Sequence, residues 1–464
     1  MPSTPAIDPA YRRALAILWN RSAWERGLIT DPFGGEEAGL RGLRRMRALL
    51  DALGAPDRVM PLLHVAGSKG KGSTAAFAAA SLTASGRKTG LYTSPHLHGF
   101  NERIAIDGAP SSQALFGSLA VRTDEAASRL ESAQPELGTI STFELVTAMA
   151  FLGFAEASCD AAVIEVGLGG AWDATNVIDP LACAITRIDL EHTAILGSTL
   201  AEIAAAKAGI IKPGRPVAIG PDPLEAESVL VAAAERAGST ALLANRDWSA
   251  SGSWRSATLF GPWGEWREVA LSLPGDHQVE NAGIAAAALW LMGQAGLPVN
   301  EQAIRDGFAG AVWPGRFEQI SAGTTRVVLD GAHTPAAAAA LRRALEAEFP
   351  DESAVFVLGM AGDKAAEEII AALAPVASAV IAVRADNPRS LPPEAIAAAA
   401  GEAGIPSLVA GSVAAGVETA AGQPLVVITG SLFVVGDARE ALGQATPDPH
   451  WGPELAEGQV GRVK

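Results

Sequence analysis

Gly67-Ser68-Lys69-Gly70-Lys71-Gly72-Ser73-Thr74 follows the apolar run Leu62-Leu63-His64-Val65-Ala66 and opens an apolar, helix-forming stretch from Thr74 to Leu82. Strand, glycine loop and helix in that order build a phosphate site. The loop amides can turn toward phosphate oxygens, and the helix N-terminus adds the positive end of its dipole. Lys71 supplies a point charge, and the hydroxyl of Ser73 or Thr74 is placed to ligate Mg²⁺. Gly67, Gly70, Lys71, Gly72, Ser73 and Thr74 are therefore the candidate contacts of a nucleoside triphosphate. The spacing departs from the usual phosphate loop, because Gly72 separates Lys71 from Ser73. The alternative is a glycine turn that merely joins strand to helix.

Outward from this loop the chain alternates strand-like and helix-like segments. After leading helices around Tyr11 to Trp19 and Glu36 to Leu53, strands are expected at Thr89–Thr93, Ala161–Val166, Leu181–Ile188 and Val217–Ile219. Helices are expected at Ser112–Ser132, Thr142–Ala157 and Thr199–Gly209. This alternation implies a mostly parallel sheet covered on both faces. Leu242 to Leu273 changes to Trp, Ser and Gly with short alternating runs, which reads as antiparallel strands, and Asn281–Leu291 returns to helix. Past a boundary near Ala309 to Gly315 the alternation begins again, with strands at Val327–Leu329, Ala354–Leu358, Ala379–Val383 and Leu425–Thr429.

The expected fold is thus α/β: a P-loop-containing parallel-sheet ATPase domain over residues 1–309, a smaller Rossmann-like α/β domain over 310–445, and a Pro- and Gly-rich tail over 446–464. A chain of 464 residues has room for about two to four domains and for real cores. Cys159 and Cys183 are the only cysteines, both in apolar strand-like surroundings, so they read as small buried hydrophobes in a reducing compartment. No signal pattern or membrane-length apolar run is visible, and a cytoplasmic protein is expected. A formal charge of −16 and a pI near 5.0 argue against nucleic acid as a partner. The basic run Arg41 to Arg47 reads as a solvated helix face.

In open parallel sheets, ligands bind beyond the carboxyl ends of the strands. That places Glu165, ahead of Gly167-Leu168-Gly169-Gly170, and Asp189 and His192, after the strand ending at Ile188, beside the glycine loop. Carboxylate and imidazole near phosphates suit a divalent metal, although His192 could equally cap or pack a loop. Lys207, among small and apolar neighbours in Ala204–Ile211, reads by composition as a lysine snorkelling to solvent. Asp330, ahead of Gly331-Ala332-His333-Thr334-Pro335, ends a strand at another anion-friendly turn, or simply orients that turn. Thr429-Gly430-Ser431 repeats the geometry. Two α/β domains presenting such turns form an interdomain cleft.

These residues resemble the folylpolyglutamate synthase/dihydrofolate synthase branch of the Mur ligase superfamily, from about Tyr11 to Leu442. The resemblance is carried by His64–Thr74, by Tyr92-Thr93-Ser94-Pro95-His96-Leu97 with Glu102-Arg103-Ile104, and by Ser141-Thr142-Phe143-Glu144. Further carriers are Glu165–Gly170 with Asp173–Asn176, His192-Thr193 with Leu196-Gly197, and Lys207–Lys212. Asn281-Ala282, Trp313–Arg316, Asp330–His333 and Thr429–Ser431 complete the set.

The resemblance implies ATP-dependent addition of L-glutamate to dihydropteroate or to folate polyglutamates through an acyl phosphate. It assigns Ser73 and Glu165 to a first Mg²⁺ and His192 to a second. It also replaces the snorkelling reading of Lys207 with a carbamylated lysine that helps bind that second metal. Asn281, Arg316 and Asp330 match ATP-contacting positions, His333 and Ser431 match positions linked to glutamate, and Ser94, Pro95, His96 and Leu97 match the loop beside the pterin. Lys71, Lys207, His192 and His333 are the expected catalytic residues. A monomer acting on small molecules only is expected, and a monovalent cation is left open.

Four positions depart from the family pattern. Lys69 stands where Asn is usual, Glu191 where Asp precedes the histidine, Ala171 where Arg follows Gly-Gly, and Thr334 where Asn follows the histidine. The competing readings are an ATPase that joins nothing and a sister Mur-type ligase acting on another carboxylate.

Overall fold

Val65 and Glu165 face each other across two parallel strands at the centre of an eight-stranded sheet. In this computed structural model, which describes residues 7–23, 31–362, 365–385, 387, 389–445 and 448, the strands of that sheet are β1 (Leu62–Ala66), β2 (Thr89–Tyr92), β3 (Ile104–Ile106), β4 (Ala109–Pro110), β5 (Ala161–Glu165), β6 (Ala182–Ile185), β7 (Val217–Ile219) and β8 (Ala241–Leu243). Their order is β4-β3-β2-β5-β1-β6-β7-β8, parallel from β2 to β8, with β3 and β4 as an antiparallel edge. The fully buried runs of β1 and β5 belong at the centre, because both faces of the sheet are covered. Leu63, Val65 and Val163 pack on one face beneath the helices Lys71–Ala84 and Asp276–Gln294. Leu62, Ala162 and Ile164 pack on the other beneath Pro9–Asn20, Gln113–Ala133 and Thr142–Glu156. In the helix Asp276–Gln294, Ala285 to Ala288 are entirely buried, and these small side chains let the helix lie close to its neighbours.

The region expected to be antiparallel from Leu242 onward is corrected. Ala241–Leu243 is the parallel edge strand β8, reached through the unforeseen helix Leu224–Arg236, and only β9 (Ser249–Ser253), β10 (Ser256–Gly261) and β11 (Gly264–Val269) form an antiparallel meander. A second sheet contains β12 (Glu318–Ala322), β13 (Thr325–Leu329), β14 (Ala354–Leu358), β15 (Ala377–Ala382), β16 (Ser407–Val409) and β17 (Leu425–Thr429), in the order β12-β13-β17-β14-β15-β16. All its pairs are parallel except β12 with β13.

The Arg41 to Arg47 face is not simply solvated. Arg45 donates to Glu144, and Arg47 donates to both oxygens of the buried Asp57. Cys159 and Cys183 are buried free thiols, and burial pushes Cys183 up to about 12. Among the described residues no helix is long and apolar enough to cross a membrane. The tail of 446–464 lies outside the described residues except for Asp448.

Candidate active site

The three central strands β5, β1 and β6 release their chains side by side, bringing Glu165, the glycine loop and the segment 186–192 to one end of the first sheet. The loop is stitched to its neighbour through backbone. Ser68 N and Lys69 N donate to Arg187 O at 2.9 and 3.1 Å, and Ser68 Oγ donates to Asp189 O at 2.9 Å. The departure at Lys69 leaves this stitching intact, because only the amide is used.

Two lysines converge on a single acceptor. Lys71 Nζ and Lys207 Nζ donate to Gly67 O at 2.8 and 2.9 Å, and Lys207 Nζ also donates to Glu191 Oε1 at 2.8 Å. Lys207 is 1 % exposed, so its ammonium does not snorkel. Burial, with Lys71 beside it, lowers Lys207 to about 8 against the pull of Glu191. The carboxyl of Glu191, which burial alone would raise, is held below its ordinary range by Lys71 and Lys207. Glu191, one of the four departures, thus has a partner that its sequence neighbours did not reveal. His192 follows in the left-handed region at φ 47°, partly open to solvent. Surrounding protein and the charges of Lys71, Lys207 and Lys69 hold its imidazole below the ordinary value, against Glu191.

Glu165 is 4 % exposed, and its Oε2 accepts Ser94 N at 3.0 Å. Burial raises it to about 7, opposed by Lys71, the Ser94 amide and Arg316. A buried, under-neutralised carboxylate beside a phosphate loop, with Ser73 in the first turn of the helix Lys71–Ala84, fits Mg²⁺ chemistry. Among the described residues no group of three or more His, Cys, Asp or Glu side chains is arranged to hold a metal unaided. Mg²⁺ here would take few protein ligands and rely on phosphate and water, its usual habit. The Thr74 hydroxyl faces Asn281 O at 3.4 Å, which leaves Ser73 as the hydroxyl at the loop.

The extra glycine of the loop has a physical reason. A Cβ on Gly72 would lie 2.7 Å from the Trp313 ring, closer than real contacts allow. Trp313 belongs to the segment 311–317 that leads to the second sheet, so the indole of the connector rests on the phosphate loop. Gly70, with φ 91°, abuts Asn281, whose Nδ2 donates to Gln278 Oε1 at 2.9 Å. Gln278 was not foreseen. It is 2 % exposed and orients the matched asparagine.

The Ser94–Leu97 loop is organised by Glu102, which accepts the amides of Leu97, His98 and Gly99 at 2.8, 3.0 and 3.2 Å and faces His98 Nδ1 at 2.9 Å. These partners outweigh burial and bring Glu102 down to about 2. His96 Nδ1 accepts Arg103 Nε at 3.0 Å, and burial together with Arg103 lowers the imidazole to about 3. Pro95 is exposed. Leu97 packs against the core of the second sheet, and its carbonyl would be 2.9 Å from a Cβ on Gly436.

In the second sheet, Asp330 accepts Phe317 N and Ala332 N at 2.9 Å each, so its carboxylate ties the connector to its own turn. Arg316 Nη1 donates to Gly315 O, and a Cβ on Gly331 would lie 2.7 Å from it. Ser431 and Thr334 are helix N-caps, accepting Val434 N and Ala337 N. The departure at Thr334 therefore keeps a capping hydroxyl. His333 Nδ1 contacts Gly331 O at 2.9 Å. The charge of Arg316 is felt at Glu165, and those of Asp330 and Arg316 at His277, so the two units face one another at this point.

Residues 65–289 match the Mur ligase middle domain, and residues 315–432 match the Mur ligase, glutamate ligase domain. The chain is 38 % identical over 440 residues to a dihydrofolate synthase/folylpolyglutamate synthase of Mycobacterium tuberculosis, covering 87 % of this chain and 90 % of that one. It is 37 % identical over 419 residues to a folylpolyglutamate synthase of Lacticaseibacillus casei, covering 86 % and 94 %. A Mycobacterium tuberculosis folylpolyglutamate synthase solved with ADP and AMPPCP superposes with a TM-score of 0.80 at 37 % identity, over 88 % of this chain and 96 % of that one. An Escherichia coli protein solved with DHPP and ADP superposes with a TM-score of 0.80 at 29 % identity, over 95 % and 99 %.

Proposed function

The chain belongs to the folylpolyglutamate synthase/dihydrofolate synthase family of the Mur ligases, and on that premise we propose how its own residues carry out the reaction. The protein is an ATP-dependent ligase that adds L-glutamate to a folate-type acid. The observation that carries the residue assignment is the convergence of Lys71 and Lys207 on Gly67 O, beside the buried Glu165 and across from Arg316.

The barrier to the first step is charge crowding, since a carboxylate must approach a triphosphate. The pterin-acid carboxylate attacks the γ-phosphorus, ADP leaves, and an acyl phosphate forms. The glutamate amine then attacks the acyl carbon, phosphate leaves, and the nitrogen loses its proton. Lys71, released from Gly67 O, would follow the phosphate charge, and the loop amides would hold the nonreacting phosphates. Ser73 and Glu165 would hold one Mg²⁺, with His192 and Lys207 near a second; bound metal would neutralise phosphate charge. With a value near 8, part of the Lys207 population is neutral at mildly alkaline pH. Its amine could then take CO₂ to give a carbamate and a proton, provided Glu191 yields its place. Asn281, Arg316 and Asp330 frame the nucleotide side of the cleft, Ser94, Pro95, His96 and Leu97 the pterin side, and His333 and Ser431 the glutamate side. Residues 1–309 would act as the nucleotide unit and 310–445 as the glutamate unit.

Purified protein with ATP, Mg²⁺, labelled L-glutamate and each pterin acid in turn should give a mass gain of one glutamyl residue per ADP released. ADP release indifferent to glutamate with every pteroate and folate would overturn the assignment.

A further inference from the structure

The turn after β7 holds a carboxyl group that the reaction does not use. Asp222 Oδ1 accepts Ile188 N at 2.6 Å, while Asp222 Oδ2 is buried without a hydrogen-bond partner among the described residues. The residue it grips sits between the two that hold the phosphate loop: Arg187 O takes the amides of Ser68 and Lys69, and Asp189 O takes Ser68 Oγ. Three residues farther on, Glu191 takes Lys207. Ile188 itself is 1 % exposed and packs with Ile185, Ile203 and Ile219.

Not every buried turn carboxylate in this sheet is left this way. Asp173, for example, accepts Leu168 N, Thr175 N and Thr175 Oγ1. Asp222 leaves one buried oxygen unsatisfied, a costly arrangement that calls for a reason beyond closing a turn.

We propose that Asp222 is a positioning residue for nucleotide binding, holding the 186–191 segment from behind so that the phosphate loop laced to its front keeps its shape. This rests on the nucleotide site proposed above. Burial raises the carboxyl to about 7, opposed by the Ile188 amide and Arg187 and assisted by Glu227 and Glu280. Both protonation states offer the Ile188 amide an acceptor oxygen, so an amide side chain at this position reproduces the neutral form.

The test uses the full chain as wild type, Asp222→Asn, Asp222→Ala and Asp222→Leu, the last keeping volume without an acceptor. Calorimetry with AMPPCP and Mg²⁺ reads nucleotide affinity, steady-state kinetics separate KM for ATP from KM for glutamate, and hydrogen exchange reads the amides of 187–189. Asp222→Asn should bind within about twofold of wild type. Asp222→Ala and Asp222→Leu should lose roughly tenfold in affinity, as expected when the hydrogen bond that anchors Ile188 is lost. In these two variants KM for ATP should rise, KM for glutamate should hold, and exchange at 187–189 should quicken. Equal affinity in whichever of these two variants folds, or an Asn variant as weak as they are, overturns the inference. A wild-type protein that fails to bind AMPPCP removes the nucleotide site itself, and the inference with it.

Discussion

The turn after β1 and the turn after β13 are both strand-to-helix junctions, yet their polar groups are used in opposite ways. Around the turn after β1, charged side chains from the end of β5, the segment after β6 and the helix Leu200–Ala208 crowd Lys71. Lys71 and Lys207 share the Gly67 carbonyl, Glu191 is squeezed against Lys207, and Glu165 is buried under-neutralised. After β13, polar side chains serve the backbone. Both oxygens of Asp330 take amides, Thr334 caps the next helix, and Ser431 does the same after β17. The first turn holds charges that can regroup around a ligand, and the second presents a shape that is already complete. Perturbed charges mark where chemistry is expected, while satisfied caps mark where it is framed.

The largest effects should come from the first turn. Lys71→Ala and Lys207→Ala should each lower kcat/KM by about 10³-fold, the scale of removing a charge aimed at a phosphoryl transition state; the thermal midpoint should stay near wild type in Lys71→Ala and fall in Lys207→Ala, which strands the Glu191 carboxylate. Comparable loss from Ser431→Ala would erase the contrast between the two turns.

Acid should sharpen the contrast by loosening the first unit. His64 is wholly buried behind the glycine loop, with Nε2 2.9 Å from Thr175 Oγ1, and burial lowers it to about 3; His96 is also lowered to about 3. Folded values below the unfolded value of about 6.5 mean that each contributes stability present above that pH and lost as pH falls from there toward about 3. Each should contribute a slope of up to about 1.4 kcal/mol per pH unit. Urea unfolding at stepped pH should show this slope, and His64→Gln should reduce it by one proton. An unchanged slope would mean that His64 is not buried neutral.

Gly72→Ala forces a methyl into the Trp313 ring and should destabilise by about 1–3 kcal/mol, with weaker nucleotide binding. Adding Trp313→Ala should return part of that loss, read as coupling in a double-mutant cycle. The smallest effect is expected in the second unit, where Ser431→Ala should cost about 1 kcal/mol as a lost N-cap, measured by denaturant unfolding.

The alternation of the fold was legible because β1, β5, β13, β14 and β17 are short apolar runs closed by glycine or polar turns, as fully buried parallel strands must be. β12, Glu318-Gln319-Ile320-Ser321-Ala322, and β16, Ser407-Leu408-Val409, were not legible, since both are half-exposed or exposed edge strands without a buried pattern. The helix Leu224–Arg236 was missed although three of its residues, Ala226, Leu230 and Ala234, are buried at fourfold spacing, and that spacing was the available signal. At the site, motif spacing singled out Lys71, Glu165 and Lys207. It could not reveal that Lys207 pairs with Glu191, that Glu102 gathers three amides, or that Asp222 grips Ile188, because those partners meet only once the strands are ordered. The odd glycine of the loop is an irregularity in sequence alone, because its neighbour Trp313 comes from the distant connector to the second sheet.

That neighbour gives the connector a share in natural variation at the loop. With the Trp313 indole occupying the space above Gly72, any relative that enlarges the residue at the position of Gly72 must shrink the one at Trp313, or re-route the connector altogether. Positions 72 and 313 should therefore drift as a pair across descendants of this sequence, although 240 other residues of the chain stand between them.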